Sequence, residues 1–344
     1  MKEKEYTFDA SYQPQVRAKS DTRSLMLDVL IALLPAMAVA VWAFGMKALV
    51  LILTSVVSCV FFEWGYRKLM KKPDSIGDLS ACVTGVLMAL TMPAAAGWWM
   101  MIIGALFAIV VVKQLYGGIG KNFLNPALAG RAFLMASYAT LMTTWATPSA
   151  LKGAVDGVTM ATPLSYLYSG AAMPNYYTLG NLFLGIRAGS IGEISTLALL
   201  IGGAYLLIRK VITWHIPVSF IGTVALLCLI FGHKGYSNAD WMLYNLVSGG
   251  LVLGAFFMAT DYCTGPATDK GRVIFGIGCG VLTVLIRYFG GFPEGVSYAI
   301  LIMNACAWFL DKVNPQRQFG VSKEDLKAAK AAKKAAKNAA KEAV

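Results

Sequence analysis

Histidine, acidic side chains and paired cysteines are what this chain has least of. There are only two histidines, His215 and His233, and the six cysteines (Cys59, Cys82, Cys228, Cys263, Cys279 and Cys306) stand singly, with no C-x-x-C spacing. A metal site built by this chain alone is therefore not expected, because such sites draw on clustered Cys and His. Acids number 18 in 344 residues, and Asp28, Glu63, Asp261, Glu294 and Asp311 read as those at or near the ends of apolar blocks. None occupies the centre of a block, which argues against a dense intramembrane carboxylate relay. A phosphate loop is missing too: in GGIGKNFLNPALAGRAF, Lys121 is followed by Asn122 in place of Ser or Thr, and Leu115 stands where the first glycine belongs.

Apolar residues fill the space these absences leave. Hydrophobic residues make up 57% of the chain and charged residues 14%, with a mean hydropathy of +0.61, far from an average soluble composition. They fall in blocks of roughly 20 residues, the length that crosses a hydrocarbon core of about 30 Å as a helix. The fold class expected is an all-α integral membrane protein with about ten transmembrane helices, over 25–45, 48–64, 80–92, 98–116, 123–143, 191–208, 214–231, 241–259, 273–289 and 296–310. The third block is short and runs into LTMPAAAG, so a broken half-helix lining a cavity is expected there. The segment before the first block is too long and too acidic for a cleavable signal, so that block should remain as an anchor.

Lys and Arg then orient the chain, because short cytoplasmic loops carry their excess. Arg17, Lys19 and Arg23, then Arg67, Lys68, Lys71 and Lys72, then Lys121, Arg209, Lys210, Lys270 and Arg272 all fall on one side if ten blocks cross. Both termini are then cytoplasmic. The expected division is a cytoplasmic segment 1–24, a first membrane repeat 25–143, an external loop 144–190, a second repeat 191–311 and a basic helical tail 312–344. The two repeats rest on a weak internal likeness. LSACVTGVLMALTMP aligns with LVSGGLVLGAFFMATD, and YGGIGKNFLNPALAGRAFL echoes FGGFPEGVSYAILIMNA. Five crossings per half would make the second copy inverted, with a site near the midplane.

The external loop contains VDGVTMATPL. Asp156-Gly157 is a turn dipeptide, and Pro163 is expected to stop any helix, which would leave Thr162 on extended backbone with an accessible hydroxyl. In the block 123–143, Asn125 is expected to cap a helix that Pro126 begins, with Asn122 three residues earlier. Arg131, about two turns further in, reads as the one cation well inside a block. It should either snorkel to the cytoplasmic face or face a functional group.

The string from Asp156 through Gly157, Thr159 and Ala161 to Thr162 resembles the D-G-x-[ST]-x-A-T signal at which a Mg-dependent flavin transferase attaches FMN by a phosphoester to the last threonine. The flanking KNFLNPALAGRAFL and FMATDYCTGPATDKGRVIFGIGCGVLTVLIRYFGGFPEGVSYAILIMNA are similar to the D subunit of the Rnf complex, the ion-translocating ferredoxin:NAD oxidoreductase, a relative of the B subunit of the sodium-pumping NADH:quinone reductase. The likeness runs from about Ser24 to Asp311. It implies a urea-transporter-like fold of two inverted five-helix repeats with broken half-helices, covalent FMN on Thr162, and electron transfer coupled to Na⁺ or H⁺ movement in company with other Rnf subunits. It also implies a second, noncovalent flavin, generally riboflavin, near Asn122 and Asn125, whose amides suit its uracil-like edge, with Arg131 facing one flavin or a carbonyl cluster. If ions pass through this chain, carbonyls of residues 90–95 and 258–264, helped by Asp261, are the expected ligands.

The tail places Lys323, Lys327, Lys330, Lys334, Lys337 and Lys341 at helical spacing among alanines, which suits anionic membrane lipids or an acidic partner. Without base-stacking aromatics there, nucleic acid is not an expected partner. The alternative reading is a solute channel or transporter of the same fold with no redox role.

Overall fold

The structure, a computed structural model, describes residues 21–151, 159–171, 173–232, 235–291 and 294–313. The expectations for Asp156, Gly157 and the basic tail lie outside these residues. Among the described residues the fold is helical, with two isolated bridges in place of any sheet. The helices are α1 (Thr22–Phe44), α2 (Met46–Leu69), α3 (Ser80–Leu90), α4 (Trp98–Ala105, continued by the π-helix Leu106–Gln114), α5 (Pro126–Ser137) and α6 (Ala139–Met142). After the loop region come α7 (Pro163–Ser169), α8 (Leu179–Leu184), α9 (Thr196–Ile208), α10 (His215–Phe231), α11 (Asn238–Val247), α12 (Leu251–Leu253, continued by the π-helix Gly254–Met258), α13 (Asp269–Phe289) and α14 (Val296–Val313).

The long helices expose large apolar side chains and bury small residues together with their few polar ones. On α2, Met46, Val50, Leu53, Val57 and Phe61 are exposed, whereas Ser55, Ser58 and Glu63 are buried. Such a surface is stable against lipid and would be costly in water. Among the described residues three helices, α1, α2 and α13, are long and apolar enough to cross a membrane, or four when α11 and α12 with its π-helix are taken as one bent span. Each of the ten expected blocks contains helix, although several helices are shorter than the block.

Some blocks depart from regular spans: block 123–143, expected as one span, is split at Tyr138 into α5 and α6. The third block, as expected, stops at Leu90, and nearly all of α3 is buried. Block 241–259, expected as one span, is bent by 61° between α11 and α12. Ser248-Gly249-Gly250 explains the bend, with Gly249 at φ +72° and the Glu193 carboxylate lying where a Cβ on Gly250 would stand. A broken helix inside a bundle needs outside partners for its freed carbonyls. For α3 these come from the segment after the loop: Gly192 N–H donates to Leu90 O (2.7 Å) and Ile191 N–H to Met92 O (2.9 Å). For α11 they are side chains, Arg287 donating to Asn245 O (2.9 Å), Thr196 to Val247 O (3.1 Å), and Arg187 to Val247 O.

Small residues set helix spacing. A Cβ on Gly202 of α9 would lie 2.1 Å from the Ala32 carbonyl of α1, whereas one on Gly222 of α10 meets nothing. Gly202→Ala should therefore cost about 1–3 kcal/mol by overpacking, and Gly222→Ala almost nothing. Thermal melts of the two variants in detergent check this; equal melting temperatures would contradict the α1–α9 packing.

Region 144–190 is more structured than the loop expected from sequence. It carries α7, α8 and a satellite core of Leu151, Tyr177 and Leu182.

Candidate functional site

The described end of the loop motif is pinned to its surroundings. Thr159 bridges Ala146, Met160 N–H donates to Trp145 O (3.1 Å), and the Tyr177 hydroxyl donates to Ala161 O (2.9 Å). Thr162 is the N-cap of α7, its Oγ1 accepting from Ser165 N–H (3.3 Å), and Pro163 occupies the first helical turn. Proline here begins a helix where the sequence pattern suggested it would stop one, because its missing N–H is one the helix start would leave unpaired anyway. The expectation of an exposed hydroxyl is corrected accordingly: Thr162 is 4% exposed. It nevertheless borders a cavity of about 460 Å³ shared with Met135, Thr143, Trp145, Met160, Ser165 and Glu294. That volume lies within the range of about 300–1,000 Å³ usual for ligand pockets.

Arg131 neither snorkels nor stands alone. Its guanidinium bonds Glu294 Oε2 at 2.6 Å and Glu193 Oε1 at 3.3 Å. Both carboxylates arrive on chain far from α5, Glu193 just ahead of α9 and Glu294 just ahead of α14. Nor is it the one buried cation: Lys113, Arg187 and Arg287 are also buried. Arg187 additionally donates to the Glu193 carbonyl. Glu193 was not among the residues expected from sequence, although an acid inside the block 191–208 was the signal that could have singled it out.

A second polar cluster is built by α2, α3 and the π-helix Leu106–Gln114. Glu63 of α2 accepts from Lys113 Nζ (2.8 Å), Gln114 (2.9 Å) and Ser75 (2.6 Å), and Lys113 also donates to Ser80 (2.6 Å). Both carboxylate oxygens of Glu63 are engaged, so this buried charge is compensated.

Beside it is an inner cavity of about 90 Å³ bordered by Lys113, Asn122, Asn125, Phe256, Asp261 and Cys263. Asn125 caps α5 as expected, Oδ1 accepting from Ala127 N–H (3.1 Å), while Nδ2 donates to Met258 O (3.2 Å). Asn122 donates to Leu124 O (3.1 Å). Asp261 accepts from Cys263 N–H (3.4 Å) and Thr264 (3.1 Å), and burial raises its carboxyl above the ordinary aspartate value. The structure thus brings Asn122, Asn125 and Asp261 together at one cavity and places Thr162 at the other, on the Arg131 side. Of the carbonyls expected to hold ions, those of Leu90, Met92 and Met258 are already engaged.

These features define a helical membrane protein with ionic clusters buried between broken helices. By sequence the chain belongs to the NQR2, RnfD, RnfE family, whose model matches residues 9–320. It is 47% identical over 323 residues to the D subunit of the Na(+)-translocating ferredoxin:NAD(+) oxidoreductase complex of Acetobacterium woodii, covering 93% of this chain and 97% of that one. It is 43% identical to the D subunit of the proton-translocating ferredoxin:NAD(+) oxidoreductase complex of Clostridium ljungdahlii (93% and 98% covered). With the D subunit of the ion-translocating oxidoreductase complex of Escherichia fergusonii it shares 36% (92% and 99% covered). Two relatives at similar identity are named for different ions, so family membership leaves the ion open.

Proposed function

We propose that this chain is the membrane flavoprotein subunit of an ion-translocating ferredoxin:NAD⁺ oxidoreductase, passing electrons through FMN esterified to Thr162. The observation that carries this reading is that the motif's acceptor threonine borders the larger cavity. Trp145, Met135 and Met160 give that cavity apolar walls, and Thr143, Thr144, Thr159 and Ser165 give it hydroxyls, a lining that fits a ring system with a polar edge. The flavin, when bound, supplies one- and two-electron chemistry, and the chain's part is to tether it and tune its surroundings. Because Thr162 is held as an N-cap, a flavin transferase must act before α7 closes or must open it.

A second, noncovalent flavin is proposed at the inner cavity, with Asn122 and Asn125 as amide partners. The cavity's volume is below the usual ligand range, so Phe256 or other lining side chains must move to admit a whole isoalloxazine. In this reading the ten helical blocks cross the membrane as two inverted repeats of the urea-transporter type, with both termini cytoplasmic and the Thr162 cavity facing outward. The paired helix breaks at α3 and α11–α12 support that symmetry. The basic tail meets anionic lipids or neighbouring subunits. Asp261 is the proposed ion-pathway residue, and unchanged Na⁺ or H⁺ pumping in Asp261→Ala at normal flavin content would remove it.

The tether is tested by mass spectrometry of the loop peptide from chain made with active transferase. An FMN-mass adduct on Thr162 is expected. An adduct on Thr159, or an unmodified peptide, would contradict the assignment.

A further inference from the structure

Glu294 is the only titratable side chain bordering the Thr162 cavity among the described residues. Behind it the polar path continues inward. Two small voids of about 10 Å³ each, the size of a single water site, both border Glu193 and Glu294. One also touches Thr162, Arg187 and Gly249; the other touches Thr91, Arg131, Met258 and Ser297, where the two helix breaks meet. Glu193 is 3% exposed, and among the described residues its Oε2 has no hydrogen-bond partner. The salt bridge to Arg131 engages only the other oxygen.

A buried carboxylate oxygen with no donor is costly as an anion, and two carboxylates sharing one guanidinium disfavour double ionisation. Among the described residues the charged groups around the pair are Arg131 from α5, Arg187 from the loop before α9, and Arg287 from α13, whose Nε and Nη2 also lack partners there, beside Gly249. Arg187 and Arg287 are held by the carbonyls that end α11, which leaves Arg131 as the only cation bonded to the two carboxylates among the described residues.

We propose that Glu294 and Glu193 together store one exchangeable proton for the redox group in the Thr162 cavity. This rests on the flavin reading above. With the ring oxidised, the pair holds the proton. When two electrons arrive from the ferredoxin-side donor, Glu294 gives it up: its O–H bond breaks, an N–H bond forms on the ring, and both carboxylates are then ionised against Arg131. Water in the open cavity supplies the second proton. Before that step the one-water voids let the shared proton pass between Glu193 and Glu294, so that it is on Glu294 when it is given up, and on reoxidation it returns to the pair.

The test is reduced-minus-oxidised infrared difference spectroscopy of the full chain loaded with FMN by the transferase, in H₂O and D₂O. In-gel flavin fluorescence is recorded first. A dark native band would overturn the flavin reading and this proposal with it. With a fluorescent band, reduction should remove a protonated-carboxyl C=O band that shifts in D₂O. The band should be lost in Glu294→Gln and Glu193→Gln, move in frequency in Glu294→Asp, and persist in Asp269→Asn, a change in an exposed pair away from both cavities. A native spectrum without a deuterium-sensitive carboxyl loss overturns the proton store while leaving the tether standing, as does a band that survives in both Gln variants.

Discussion

Arg131→Met is expected to destabilise the chain by about 3–5 kcal/mol, the usual cost of removing one partner from a buried ionic group. The side chains involved are 7%, 4% and 12% exposed for Arg131, Glu193 and Glu294, so the carboxylates left behind, Glu193 above all, are poorly solvated. Since the replacement is apolar and of similar length, the loss reports charge more than volume. The triple variant Arg131→Met, Glu193→Gln, Glu294→Gln should recover part of the stability, because the two acids are no longer stranded while the buried Arg187 beside them loses their charge. Asp269→Asn serves as the contrast. Its pair with Arg272 is 69% and 27% exposed, and such pairs contribute about 0–1 kcal/mol. Size-exclusion profiles after heating in detergent rank these variants. Arg131→Met melting with the native chain would contradict the buried cluster, and a triple variant no better than the single one would put the loss down to packing.

The membrane class, the helical blocks and the break after α3 were legible in sequence because each depends on neighbouring residues: apolar runs, or a proline in LTMPAAAG. The start of α5 was legible for the same reason, Asn125-Pro126 being a local cap. Arg131's partners were not. Glu193 lies 62 residues away and Glu294 lies 163 away, and nothing local marks which acids a buried cation will meet. Lys113 and Glu63 were hidden similarly, each near a block end where snorkelling is the ordinary expectation, yet folded inward onto one another. Thr162 shows the limit from the other side. Its motif pointed to the acceptor, but its burial depends on Tyr177 and the bridge to residue 146, contacts that a seven-residue string does not contain.

Thr162→Val is expected to abolish covalent flavin while leaving the fold nearly intact. Valine matches threonine in shape, and the loss of the N-cap hydrogen bond to Ser165 costs about 1 kcal/mol, small against the stability of a bundle this size. Thr162→Ser keeps both the hydroxyl and the cap, so it should retain flavin if the transferase accepts a primary alcohol. The noncovalent flavin proposed at the other cavity should be unaffected by either change, leaving any flavin released on denaturation at its native level. The decisive experiment is in-gel flavin fluorescence of the denatured chain, made with active transferase, for the native sequence and Thr162→Val. A fluorescent native band that disappears in the variant is the predicted result. A dark native band beside a fluorescent control substrate would contradict the tether and favour a channel of the same fold without redox function.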